Sequence, residues 1–371
     1  MMRLEVYHIS MTRTTRKRLV DLGEKRILNE LVMHYLGDVS SDMIDLGIGD
    51  DAAVLGKLQH DERLVLTIDS CPTPVVDILG VGSWRDWGRM AGVISLSDIA
   101  AMGAAPIAFL SATTMNPGMN VSDYEEYISG LSSVCEEYST RIIGGNIREG
   151  DAFSATTVGI GICKSDQIWK RNGAENSDIL VCVGSAGLFW SATLDVMQGK
   201  SISELTEAQS RALFCPYPKL GAVAALQRSG VKVNASMDCS DGLGASIVEL
   251  CQASDVGVVI DYSLFQILPE VRAAASKYSI PLERLLLSWG DWQLLLSVPE
   301  DSWSNIDSTL REVGCTVFRV GRVIPGQEIR ERWPGKWEER LLQESCESVR
   351  FHSTSYMSNG LDSYVERLRR L

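Results

Sequence analysis

The chain has 371 residues, 45% hydrophobic and 22% charged, with a mean hydropathy of +0.02 and a formal net charge of −13. That composition describes an ordinary globular protein with material for about two domains. The acidic balance argues against a nucleic-acid partner or an anionic membrane surface. The apolar runs are short and broken, and the N-terminus lacks a signal peptide's apolar core, so the expected location is the cytoplasm with no membrane span.

In chain order, residues 1–20 form a basic arm ("MTRTTRKR", 11–18), and Leu22, Ile27, Leu28, Leu31, Val32 and Tyr35 follow helical spacing. "RLVLTIDS" (63–70) predicts a strand ending in an acid. Residues 86–104 predict a helix, a short break, and a second helix opening at Ser97-Asp98, a pair suited to capping free N–H groups. "PIAFLSATTM" (106–115) predicts a strand and 122–140 an amphipathic helix. "RIIGGN" (141–146) and "SATTVGIGIC" (154–163) predict two strands around a glycine turn. This alternation defines a first α/β domain over 21–163. A second, α+β domain over 164–371 carries a buried strand in "ILVCV" and a helix at 219–230. Strand, acidic turn, helix and strand follow at 234–263, then strands at 292–300 and 315–324. Its charged tail ends in "SYVERLRRL", an amphipathic helix. Nine scattered cysteines without a C-x-x-C pair, and four histidines (His8, His34, His60, His352) apart from them, describe buried reduced thiols rather than a zinc site.

One set of positions carries chemistry. Asp51 with its neighbour Asp50, Asp69, Asp98, Asn146, Asp238 and Asp241 each fall at a strand end or glycine turn. Any one alone is an ordinary turn or cap residue. Converging, they offer hard oxygen donors that suit magnesium, which takes a few carboxylates and substrate phosphates. Without a cation the carboxylates would repel one another in a low-dielectric cleft. Asp50 and Asp51 need not both serve a metal, since one suffices while the other caps the turn. The Walker phosphate loop, the dinucleotide glycine motif, kinase catalytic-loop motifs and a Ser/His/Asp triad are all missing from the sequence.

"GIGDDAAVL", "SLSDIAAMGAAP", "IIGGN", "KRNGAENSD", "CPYPKLG", "MDCSDGL", "ASDVGVVID" and "VGRVIPG" stand in one order along the chain. As an ordered set over about 22–326 they resemble the thiamine-monophosphate kinases and, more broadly, the aminoimidazole ribonucleotide synthetase and selenophosphate synthetase superfamily. The resemblance implies a homodimer whose N-terminal α/β domains pair their sheets across the two chains. It also implies a C-terminal α+β domain, with ATP between the domains and its phosphates held by Mg2+. It places Asp51, Thr67, Asp69, Asp98, Asn146, Asp238 and Asp241 at metal positions, with Ile68 offering only its backbone carbonyl. Gly145, Asn146, Arg171 and Ser240 fall at nucleotide positions, and Asp98 and Asp241 at the catalytic centre.

The departures lie mostly on the acceptor side. Asn146 stands where family kinases carry an aspartate. "SWGDWQL" (288–294) replaces "GGEDYEL", so Gly290 takes the place of a substrate-binding glutamate, and "SCPTPVVDIL" replaces a histidine-containing segment. The reading that follows is ATP- and Mg-dependent phosphoryl transfer to a small molecule other than thiamine monophosphate. Asp291 and Glu283 are rival contacts to that ligand. ATP-dependent ligation or cyclisation through a phosphorylated carbonyl or carboxylate is one alternative, and a non-catalytic nucleotide-binding regulator another. Trp289, Trp292, Trp333 and Trp337 are candidate stacking surfaces, although tryptophans more often serve the core.

Overall fold

The computed structural model describes residues 60–334 without interruption, together with Arg18, 33–36, 44–46, 54–55, Leu58, 340–341 and 356–370. Asp50, Asp51, Trp337 and nearly all of the basic arm lie outside the described residues.

The N-terminal half opens with helix α1 (Met33–Leu36) and an antiparallel pair, β1 (Ile44–Leu46) and β2 (Val54–Leu55). Its main sheet has four strands in the order β3-β6-β4-β5: β3 (Glu62–Ser70), β4 (Ala105–Met115), β5 (Ile142–Glu149) and β6 (Ser154–Lys164). Only β4 and β5 run parallel. A short helix α2 (Val75–Ile78) follows β3, and α3 (Trp84–Ala101) and α4 (Val121–Glu137) are the long helices of this half. Alternation along β3 turns Thr67 and Asp69 toward α3 and leaves Leu64, Leu66 and Ile68 on the open face. Leu66 and Ile68 are 64% and 68% exposed.

Two local expectations change. The break before Ser97 does not occur, and α3 runs unbroken from Trp84 to Ala101. Its serines have tertiary partners instead of capping roles: Ser95 Oγ lies 2.8 Å from Thr157 Oγ1, and Ser97 Oγ donates to Asp238 Oδ2 at 3.5 Å. Nor do Gly144 and Gly145 form a turn. They lie inside β5, and β4 separates β5 from β6.

The C-terminal half is built on a seven-stranded sheet in the order β13-β12-β9-β11-β7-β10-β8. These strands are β7 (Ile179–Val183), β8 (Ala235–Asp238), β9 (Gly257–Asp261), β10 (Leu294–Val298), β11 (Val317–Ile324), β12 (Ile329–Arg332) and β13 (Arg340–Leu341). Helices α5 (Leu188–Met197), α6 (Glu207–Phe214), α7 (Leu220–Ser229), α8 (Leu243–Ser254), α9 (Pro269–Tyr278), α10 (Leu282–Leu287), α11 (Trp303–Glu312) and α12 (Tyr356–Arg370) complete it. β7 and β10 are buried at every position, as their unbroken apolar runs require of strands covered on both faces.

The two halves share their cores. Leu96 and Ile99 of α3 join one apolar cluster with Ile179, Val181 and Val183 of β7 and Leu220 and Val223 of α7. Val75 and Val76 of α2 join the cluster on the other face of the same sheet, with Cys182, Phe189 and Leu295. Helix α12 breaks at Gly360 and then buries Leu361, Tyr364, Val365 and Leu368, the stripe of an amphipathic helix.

Candidate active site: an acid cluster between the halves

Strand β3, the last turn of α3 and the end of β8 bring four oxygen-bearing side chains together. The Thr67 hydroxyl lies 2.5 Å from Asp98 Oδ2 and 3.2 Å from Asp69 Oδ2, and its one proton can serve only one of them. Asp238 ends β8 at 4% exposure, within reach of Ser97. Burial first, then the charges of Asp238 and Asp69, push the Asp98 carboxyl up to about 7, against the pull of its bond to Thr67. Burial also raises Asp238, with Asp241 and Asp69 adding to it, while the Ser240 hydroxyl and the Arg171 guanidinium oppose it. Asp98 sits in the C-terminal turn of α3, the wrong end of the helix dipole for a carboxylate. The local fold therefore works against negative charge here, and a cation removes that conflict.

The donor chemistry fits magnesium: carboxylates and a hydroxyl, with no sulfur or imidazole. Among the described residues, no three His, Cys, Asp or Glu side chains form a ready metal cage. Magnesium commonly takes one or two carboxylates and completes its shell with water and substrate phosphate, so an incomplete protein set is the expected form of such a site.

The acidic turn after β8 is tightly built. Cys239 N donates to Gln293 O at 3.0 Å, tying the turn to the start of β10. Gly242, at the N-terminus of α8, has φ +104°, and a Cβ there would lie 2.8 Å from the backbone nitrogen of Trp289. Arg171 is exposed at the rim and pairs with Glu249 at 3.4 Å.

Gly145 and Asn146 are not part of this cluster within one chain. Asn146 is in register with Ala112, Thr156 and Ser70, on the opposite sheet face from Asp69 and three strand spacings, about 14 Å, from β3. Asp51 falls outside the described residues. Ser97 was not anticipated as a partner of Asp238, because a serine within a helix gives no local sign of a distant contact. Asp291 is not free to meet a substrate: its carboxylate accepts from Gly187 N at 2.6 Å and Phe189 N at 2.8 Å. Burial raises it to about 7 in spite of those bonds and the nearby Lys219, which burial in turn lowers to about 8. Gly290 has φ +111°, and a Cβ there would meet Phe189 Cδ1 at 2.1 Å, so the Phe189 ring fills the space of any side chain at that position. No helix among the described residues is long and apolar enough to cross a membrane.

The fold recurs in known proteins. The chain matches the N-terminal domain of AIR synthase related proteins over 49–163 and their C-terminal domain over 175–334. It belongs to the AIR synthase related family, two-domain α/β proteins. Within that family it is a thiamine-monophosphate kinase-like member. The thiamine-monophosphate kinase of Halobacterium salinarum is 30% identical over 277 residues, 74% of this chain and 87% of the relative. The crystal structure of thiamine-monophosphate kinase from Stenotrophomonas maltophilia, 24% identical, superposes with a TM-score of 0.71 over 85% of this chain and 98% of its own. The hydrogenase maturation protein HypE, solved in complex with ATP, is 19% identical and superposes with a TM-score of 0.70 over 86% and 93%.

Proposed function

We propose that this protein is an ATP- and magnesium-dependent phosphotransferase whose acceptor is a small molecule other than thiamine monophosphate. The observation that carries the reading is the clustering of Thr67, Asp69, Asp98 and Asp238 where burial and the helix dipole oppose negative charge. Asp69, Asp98, Asp238 and Asp241, with Asp51 and Thr67, would hold the metal, the Thr67 hydroxyl donating to one carboxylate at a time. Magnesium held there would supply charge neutralisation for phosphoryl transfer. Asp98 and Asp241 align the reacting groups, and Ser240 and Arg171 contact the nucleotide, while Gly145 and Asn146, on the other face of the sheet and three strands from Asp69, take no part from the same chain. No covalent nucleophile is required. The names and ATP complex of the relatives support a kinase-like enzyme and ATP as its nucleotide.

The change of acceptor rests on Gly290 and Asp291. Position 290 is closed to any side chain by Phe189, and Asp291 is occupied by two backbone N–H groups. No carboxylate of this loop is left to meet a cationic ring. Losing one charged contact weakens binding by about 1.5–3 kcal/mol. The open face of the N-terminal sheet, with Leu64, Leu66 and Ile68 beside Leu110 and Val158, supports a homodimer paired across it.

The test is ATP consumption against a panel of metabolites that includes thiamine monophosphate, with products identified by mass spectrometry. ADP with a phosphorylated product other than thiamine diphosphate is expected. Thiamine diphosphate formed at the kcat/KM of a true family kinase would overturn the acceptor assignment. ADP with free phosphate and a condensed product would replace transfer by ligation, and tight binding without turnover would replace the enzyme by a regulator.

A further inference from the structure

We infer that Tyr364, on the C-terminal helix α12, is a positioning residue for the acidic turn and acts through Trp289. The inference rests on the reading that this turn takes part in binding magnesium and ATP. Helix α12 lies beyond the stretch that matches the C-terminal domain of AIR synthase related proteins, which ends at residue 334. Its buried stripe docks on a group of aromatic rings. The Tyr364 ring stacks on Trp190 with centroids 4.7 Å apart and planes 25° from parallel. It also meets Trp289 edge-on at 5.5 Å. Trp190 and Trp289 stand at 87° to each other, 5.1 Å apart, and Phe189 closes the group 5.5 Å from Trp289.

Trp289 is the link to the site. Its backbone lies directly against Gly242, the residue after Asp241, with Trp289 N at 2.8 Å and Ser288 C at 2.9 Å from where a Cβ would be. Two backbones in contact, with no side chain between them to absorb a shift, transmit displacement. The loop's far end is held by the Asp291 carboxylate on Gly187 N and Phe189 N. Its near end is held by the rings around Trp289. Removing the Tyr364 ring frees that end, and the turn bearing Ser240 and Asp241 loses its backing.

The experiment titrates the full-length protein with ATP by calorimetry at graded magnesium concentrations. Tyr364→Ala is expected to raise the magnesium midpoint on the order of tenfold, as for neighbours coupled through a shared contact, whereas Tyr364→Phe keeps it within about twofold. Leu368→Ala, one turn further along the same buried stripe, should lower the melting temperature without moving the midpoint. If Tyr364→Ala does not fold, Tyr364→Leu, which keeps bulk but no stacking face, takes its place. A wild-type protein with no magnesium-dependent ATP binding overturns the functional reading and this inference with it. Wild-type binding with an unmoved midpoint in the Tyr364 variant, or an equal shift in Leu368→Ala, overturns the inference alone.

Discussion

Replacing Asp98 by Asn should make the metal-free protein more stable while abolishing its response to magnesium and ATP. Asp98 is raised from 3.8 to about 7 by burial and by the charges of Asp238 and Asp69. A carboxyl raised in the folded state favours folding least when ionised, so the penalty is small near pH 4 and grows as the pH rises toward 7. Three units at 1.36 kcal/mol each bound it at about 4 kcal/mol, and relaxation of a coupled cluster brings the expected figure to about 2–4 kcal/mol at pH 8. Asparagine removes the charge and keeps an oxygen for the Thr67 hydroxyl. Urea unfolding in chelator should therefore place Asp98→Asn above wild type at about pH 8 and close to it at about pH 4.5. Adding magnesium and ATP should then stabilise wild type and leave the variant unmoved. A variant less stable than wild type at pH 8 without metal, or one stabilised equally by magnesium and ATP, would refute the link between crowded charge and cation binding.

Three further outcomes follow from the same structure. Leu66→Asp combined with Ile68→Asp should convert a dimer into a folded monomer, read by sedimentation velocity with circular dichroism as the check on folding; a wild-type monomer at micromolar concentration would end the dimer proposal. Gly290→Ala should destabilise by about 2–5 kcal/mol through its positive φ and its collision with Phe189, measured by urea unfolding. Burial alone would raise Asp195, but Tyr278, Lys200, Lys277 and Gln209 together hold its carboxyl well below the usual range. Its stability contribution is thus full above the unfolded value near 4 and is lost as the pH falls below it, so Asp195→Asn should flatten the acid side of the stability profile; an unchanged slope would contradict that network.

Strands with long apolar or alternating runs, such as β3, β4, β7 and β10, were legible because their period and burial agree. The continuity of α3 was not, since Ser97 and Asp98 carry a capping signature that only their tertiary partners, Asp238 and Thr67, override. Acidic residues at predicted strand ends marked Asp69 and Asp238, and the Ser97-Asp98 pair marked Asp98, which the structure places inside α3. The separation of Asn146 from them was hidden, because it depends on β6 and β4 lying between β3 and β5. The backbone bonds of Asp291 were hidden for a similar reason, as Gly187 and Phe189 are far from it in sequence. The terminal amphipathic pattern predicted the helix but could not say that Tyr364 would stack on Trp190.

The mixing of the two cores bears on how the molecule comes apart. Leu96 and Ile99 from the first half lie with Val181 and Val183 from the second, and Val75 and Val76 reach the opposite face of the same sheet. A cut near residue 164 would leave each fragment with a raw apolar wall and neither with a closed interior. Calorimetry should consequently trace a single endotherm, and magnesium with ATP, bound as proposed at the acids along the seam, should shift that whole endotherm upward. Protease nicking between the halves should leave the fragments associated. The chain should melt as one unit although its sequence reads as two.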